Sequence, residues 1–149
     1  MAHYPFYKNY PGYPDHYSRP LSNLEKRGKC EVTTIIGKNH PETLSLLGQC
    51  DIVVGKVIES IGWFGRFELE GMTLGKPVIT FVAEELYKRY QPPVWRTTEK
   101  TFEHDLETLI DDVDAQKRLS IASIAYIDTN HPVQKVCDLL EGCYERCRA

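Results

Sequence analysis

One short segment of the chain combines residue types that could bind a phosphorylated ligand. Gly62 and Gly65 flank an aromatic pair, Trp63 and Phe64, and Arg66 follows directly. Glycines let the backbone approach a ligand closely, and the aromatic rings offer it flat apolar faces. A helix beginning after this turn would point its unpaired first-turn N–H groups at the ligand, and its dipole would favour negative charge there. We therefore predict a diphosphate site at this turn.

The segments on either side of the turn predict a strand, a loop, a helix and a second strand of an open α/β sheet. Residues 52–54 form a short β-branched run closed by glycine, which is typical of a buried parallel strand. Residues 67–74 carry apolar side chains over about two helical turns. Residues 75–77, Gly-Lys-Pro, end that helix because proline cannot continue it. The turn therefore lies outside the carboxyl end of a strand, where ligands of such sheets bind.

The rest of the chain continues the alternation of strands and helices, which predicts a parallel sheet with right-handed crossovers. Further strands are predicted at residues 30–37 and 94–96, whereas residues 1–15, rich in proline and aromatic residues, predict an irregular arm. We expect one Rossmann-like α/β domain over 1–149, with helices on both faces of the sheet and a helical C-terminal tail at 98–149. Apolar periodicity and helix start and stop signals predict the remaining helices over residues 15–28, 40–48, 84–90, 98–112, 114–127 and 133–147.

Composition narrows the function classes. The chain has 149 residues, 42% hydrophobic and 26% charged, as expected for a globular domain. Its formal net charge is −3 with scattered basic residues, so we expect no nucleic-acid partner. No apolar run reaches the roughly 20 residues of a membrane span, and we expect a cytoplasmic protein. The five cysteines indicate reduced thiols. Cys143 and Cys147 are expected to be plain helical residues, with a surface disulfide or a metal contact as the alternative.

A resemblance to a known family lies in the stretch GWFGRFELEGMTLGKPV. It is similar to the nucleotide-sugar site of GT-B glycosyltransferases, especially the retaining family-four group. That group combines a glycine-aromatic-glycine turn, a Leu-Glu-Ala-Met helix start and a Gly-Lys-Pro-Val strand entry. This chain has WFG at 63–65, LEGM at 69–72 and GKPV at 75–78, in the same order. The resemblance is strong over 50–81 and looser over 30–147.

The resemblance implies roles for particular residues. The carboxylate of Glu70 would hydrogen-bond the ribose hydroxyls, since its two oxygens suit a cis-diol. Gly65 and Arg66 would lie at the diphosphate, and Lys8 best matches a family lysine that binds the same group. The two aromatic side chains of the turn would contact the base or sugar, or pack in the core. The implied substrate-binding residues are Glu70, Gly65, Arg66, Phe64, Trp63 and Lys8.

The function implied by the resemblance is that of a glycosyltransferase donor domain, which uses a UDP- or GDP-sugar and no metal or other cofactor. The acceptor would be held by a second domain, expected in a missing segment or another chain. Gly62 stands where the family has an acid that touches the donor sugar. Glu59 lies nearby but out of register, and Glu68 is on the helix beside Glu70. Two alternatives remain open: a non-catalytic nucleotide-sugar-binding or regulatory homologue that needs a partner chain, and a sugar-nucleotide epimerase of the GT-B fold.

Overall fold

A parallel sheet of five strands forms the centre of the computed structural model, which describes residues 1–5, 15 and 17–148. The strands are β1 (Ala2–His3), β2 (Thr33–Thr34), β3 (Val53–Val54), β4 (Val78–Thr80) and β5 (Trp95–Arg96). Their order across the sheet is β2-β1-β3-β4-β5. Every neighbouring pair is parallel. The α/β, Rossmann-like fold predicted from the alternation of elements is confirmed.

Seven helices of the described residues connect and cover the strands. They are α1 (Ser18–Lys26), α2 (His40–Gly48), α3 (Arg66–Thr73), α4 (Glu84–Tyr90), α5 (Phe102–Asp111), α6 (Val113–Asn130) and α7 (Val133–Arg148). Each agrees with a helix predicted from periodicity to within about one turn at either end. α2 starts where expected because Asn39 and Glu42 form a capping box, in which each side chain accepts a hydrogen bond from the other residue's backbone N–H.

The helices lie on both faces of the sheet and so form three layers. Val53 and Val54 of β3 point to opposite faces, and each belongs to a different buried cluster. α1 and α5 bury residues in the cluster around Val54, whereas α2 and α3 bury residues in the cluster around Val53. α6 contacts both clusters, with Ala115 buried in the first and Ile127 packed against the second. The predicted α/β/α layering is therefore present.

The prediction of an irregular arm over residues 1–15 is wrong for the first residues of that range. Ala2–His3 form β1 in the middle of the sheet, and both residues are buried. The amide of Thr33 donates a 2.8 Å hydrogen bond to the carbonyl oxygen of Met1. The amide of Ala2 donates one of 2.8 Å to the carbonyl oxygen of Ile52. A strand of two residues is too short to show alternation, so the proline and aromatic residues that follow it determined the prediction.

α7 closes the described chain and buries none of its residues. Cys143 and Cys147 are exposed free thiols on this helix, as expected of plain helical residues, and they form no surface disulfide. Among all the helices in the described ranges, none combines the length and apolar composition that crossing a bilayer requires. The larger exposed apolar side chains of α7 are Val133, Val136, Leu139, Leu140 and Tyr144.

Candidate functional site

A cavity of about 580 Å³ opens at the carboxyl ends of three neighbouring strands. Tyr4 follows β1, residues 35–38 follow β2, and residues 54–56 end and follow β3; all of them line the cavity. The chain leaves β1 for β2 on one side and later returns to β3 on the other, so the direction of winding reverses here. Open α/β sheets bind their ligands in the crevice at such a switch point. The cavity therefore lies where this fold places a ligand.

The start of α3 forms a second wall of the cavity. Residues 65–68 line it. Gly65 is the N-cap, with an extended backbone. Among the described residues, the amides of Arg66 and Phe67 find no hydrogen-bond acceptor. Unpaired amides at a helix start, together with the helix dipole, attract anions. The cavity is thus bordered by an anion-attracting helix end.

Three basic side chains line the cavity, and they come from three different segments. Lys38 lies in the loop after β2, Lys56 in the loop after β3, and Arg66 in the first turn of α3. A Cβ atom built on Gly65 would lie 2.6 Å from the Nζ atom of Lys56, so the ammonium group of this flexible side chain lies close to the helix start. The basic groups add positive potential to that of the helix dipole.

Glu70 brings a carboxylate into the same wall, one turn into α3. Its Oε1 atom lies 3.1 Å from Nε of Arg66 and 3.0 Å from Nε2 of His40. This oxygen is buried, and neither contact has the geometry of a hydrogen bond. The side chain as a whole keeps 12% of its surface exposed. Glu70 therefore has one oxygen held between two nitrogen groups and presents part of its side chain to the cavity.

Glu68 has a structural role that was not predicted from the sequence. Its side chain is 1% exposed, and its two oxygens accept hydrogen bonds of 2.7 Å from the amide of Lys56 and 3.0 Å from the amide of Gly65. The Gly65 amide therefore already donates to a protein carboxylate, while the position of Gly65 beside a diphosphate stays a prediction. The anion-attracting amides that remain are those of Arg66 and Phe67.

The loop after β3 is also held from the other face of the sheet. The amide of Val57 donates a 2.6 Å hydrogen bond to the phenolic oxygen of Tyr17, which is buried just before α1. Burial raises the pKa of Tyr17 well above its ordinary value, against a smaller lowering by the Val57 hydrogen bond. Tyr17 is therefore a neutral structural acceptor beneath the cavity-lining loop.

The aromatic pair predicted at the ligand lies outside the cavity lining. Phe64 is 6% exposed and packs in the cluster around Val53. Its ring stacks on that of Trp63 with 4.3 Å between centroids, and Trp63 also meets the edge of Tyr90 at 5.5 Å. The structure thus places both rings in core packing, one of the two roles considered for them. Lys8 lies outside the described residues.

Sequence reasoning did not assign several cavity residues. Lys38 lies in the loop after β2, and Tyr4 follows β1. The rings of Tyr4 and Phe67 lie 5.7 Å apart and form an apolar part of the lining. The rule that pointed to the loop after β3, namely that ligands bind at carboxyl ends of strands, would have indicated the loops after β1 and β2 as well.

Neither a protein-family model nor a curated protein sequence matches this chain. Its fold and cavity define a Rossmann-like α/β protein with a crevice of mixed polar and apolar lining at the switch point of its sheet. Within residues 1–5, 15 and 17–148, no group of three or more His, Cys, Asp or Glu side chains is placed to hold a metal ion.

Proposed function

We propose that this chain binds a nucleoside-diphosphate sugar and acts as the donor domain of a glycosyltransferase. The observation that carries the proposal is one cavity that combines an anion-attracting helix start, three basic side chains and the carboxylate of Glu70. A diphosphate requires several N–H donors and positive charge, whereas a ribose diol requires an acceptor. Both requirements are met in adjacent parts of one wall.

The diphosphate would lie at the first turn of α3. The amides of Arg66 and Phe67 would donate to its oxygens, and the guanidinium of Arg66 and the ammonium of Lys38 would add charge-assisted hydrogen bonds. Arg66 suits this role because its side chain is 83% exposed and would need to give up only a contact with Glu70 that lacks the geometry of a hydrogen bond.

The ribose would lie deeper along the helix, against Glu70. Glu70 lies four positions after Arg66, which is a rise of about 6 Å along α3. A ribose next to a diphosphate at the helix start would therefore bring its hydroxyls towards this carboxylate. Contact with His40 keeps the carboxylate in the wall of the cavity.

The chemistry would be the departure of the nucleoside diphosphate from the anomeric carbon as an acceptor hydroxyl replaces it. Negative charge grows on the departing phosphate oxygen, and fixed N–H donors and cations aimed at that oxygen would lower the barrier. The start of α3 supplies such groups. The resemblance described above implies that the acceptor is held by a further domain or chain.

A specific observation favours a second candidate, a nucleotide-sugar-binding module without catalytic activity. Gly62 stands where the resembling enzymes have an acid, and it does not line the cavity. Its φ of +73° is the left-handed conformation that glycine adopts most readily. Its carbonyl oxygen accepts a 2.9 Å hydrogen bond from the amide of Ala83. The position therefore serves a turn and offers no carboxylate to a donor sugar.

Calorimetric titration of the chain with UDP, GDP, UDP-glucose and GDP-mannose tests the proposal. We expect one nucleotide class to bind and Glu70→Ala to weaken it about tenfold, since a hydrogen bond to a charged group is lost. Glu85→Ala, which removes an exposed first-turn glutamate of α4, is the matched control and should leave the affinity unchanged. Absence of binding by all four compounds would refute the proposal.

All three candidate functions include binding of a sugar nucleotide, and an NMR assay of the bound compound distinguishes between them. Transfer to an acceptor or release of free sugar identifies a glycosyltransferase. Conversion to a stereoisomeric sugar nucleotide, or its elimination product, identifies an epimerase. Binding with no chemical change, also after addition of candidate partner chains, identifies the non-catalytic module.

A further inference from the structure

We propose that Glu68 is a positioning residue of this site. Its carboxylate holds the start of α3 next to the end of β3 and so determines the shape of the cavity wall. The inference rests on the proposed function. Nucleotide binding depends on Glu68 through the backbone it holds, because each of its carboxylate oxygens is already occupied by a backbone donor.

The two donors come from different walls of the cavity. Lys56 belongs to the loop after β3, and Gly65 is the N-cap of α3. Their amides lie 2.7 Å and 3.0 Å from the carboxylate oxygens, distances typical of strong, charge-assisted hydrogen bonds. At 1% exposure the carboxylate has lost its water, so it depends on both donors. Glu68 therefore joins the two walls.

The surrounding backbone is fitted to this side chain. A Cβ atom built on Gly55 would lie 2.5 Å from Cγ of Glu68 and 2.8 Å from its Oε1 atom, distances that side chains do not tolerate. Gly55 thus provides the space that the carboxylate fills. The same strand end carries Lys56, whose ammonium lies beside Gly65. The two glycines, the lysine and the glutamate form one packed unit at the edge of the cavity.

A helix cap alone would not require this arrangement. Glu42 occupies the equivalent capping-box position in α2, where it accepts a hydrogen bond from the N-cap amide and is exposed. Glu68 makes the same local bond, and in addition it reaches the amide of Lys56 across the cavity edge. The second bond is what connects the helix start to the sheet, and Glu42 provides a matched control for the first.

Charge and position predict opposite effects when Glu68 is changed to glutamine. The carboxylate is a negative charge next to an anion-attracting helix start, so its removal should tighten anion binding if charge alone matters. If position matters, binding should weaken, because an amide can accept only one of the two hydrogen bonds and turns its NH2 group towards the other donor. The sign of the change in affinity therefore decides between the two.

The experiment titrates wild type, Glu68→Gln, Gly55→Ala and the control Glu42→Gln with the nucleotide that binds wild type. We expect Glu68→Gln to weaken binding about tenfold. Gly55→Ala keeps the carboxylate but displaces it, and should weaken binding in the same direction. Glu42→Gln should leave the affinity unchanged. Unchanged or tighter binding by Glu68→Gln would overturn the proposal, as would an equal loss in the control.

Amide hydrogen exchange of the free protein gives a second readout that needs no ligand. In Glu68→Gln the amides of Lys56 and Gly65 should exchange faster, while those in the middle of α5 keep their protection. If wild type binds no nucleotide, the proposed function fails, and unchanged protection at these two amides would separately overturn the positioning role. If Glu68→Gln does not fold, Gly55→Ala supplies both measurements.

Discussion

The phenolic oxygen of Tyr17 accepts a 2.6 Å hydrogen bond from the amide of Val57, directly after Lys56, whose amide donates to Glu68. Two consecutive amides are thus held by side chains from opposite faces of the sheet, one next to α1 and one on α3. The loop after β3 is therefore fixed from both sides where it lines the cavity.

Changing Tyr17 to phenylalanine should destabilise the fold. The ring is retained, but the buried amide of Val57 loses its acceptor, which costs about 1–3 kcal/mol of the free energy of unfolding. Urea unfolding measures the change. Tyr144→Phe, at a residue that is 68% exposed, is the control and should change stability little. A loss below about 0.5 kcal/mol for Tyr17→Phe would show that the amide finds another partner.

Stability should fall in alkaline solution because the pKa of Tyr17 is raised in the folded protein. The unfolded chain releases this proton near pH 10, whereas the folded chain retains it, so unfolding is favoured above about pH 10. The stabilising difference is fully present below that pH and is lost as the pH rises towards the folded pKa. Comparing wild type with Tyr17→Phe at about pH 8 and about pH 10.5 should show an extra loss of roughly 0.8 kcal/mol in wild type. Equal losses in both proteins would contradict the assignment.

Alanine at Gly71 should destabilise the packing of α3 on the sheet. A Cβ atom there would lie 2.9 Å from Cγ2 of Val53, which cannot withdraw from its buried strand. Overpacking of about 1–3 kcal/mol outweighs the gain of up to about 1 kcal/mol in helix propensity. Gly142→Ala in exposed α7 is the matched control and should stabilise, since its nearest neighbour is a flexible Arg146 atom at 3.6 Å. Chemical denaturation should show a lower free energy of unfolding for Gly71→Ala and a higher one for Gly142→Ala.

If the diphosphate binds at the start of α3, Arg66→Gln should weaken nucleotide binding about tenfold or more, since a charge-assisted hydrogen bond is lost. The loss should shrink as salt is raised, because ions screen the exposed guanidinium. Arg118→Gln, on the exposed surface of α6, should have no effect on affinity at any salt concentration. Equal affinities of wild type and Arg66→Gln would place the anion elsewhere.

Local patterns were sufficient to predict most of the fold. The start signal of α2 and the Gly-Lys-Pro after α3 are contained within a few neighbouring residues, and the ends of these helices agree with the prediction. The location of the cavity also follows from the alternation of elements, because parallel strands bring their carboxyl ends to one edge. These features depend on short-range chemistry.

The features that the sequence did not predict depend on contacts between distant segments. Glu68 has the same local pattern as an exposed helix-start glutamate, and only its bond to Lys56 distinguishes it. The Trp63 and Phe64 pair fits a ligand-facing turn and a core turn equally well, and the packing of α3 decides between them. The two-residue strand β1 is defined by its neighbours in the sheet and has no pattern of its own.

The central position of β1 has a consequence for the order in which the fold can assemble. Among the described strands, β2 pairs with β1 alone, so β2 has no direct hydrogen bonds to β3. The partners of Ala2 are Thr33 and Val53, both tens of residues away along the chain. Closing such loops costs entropy before any pairing is gained. We therefore expect the two sides of the sheet to join only when β1 is inserted between them, which makes that insertion a slow event in folding.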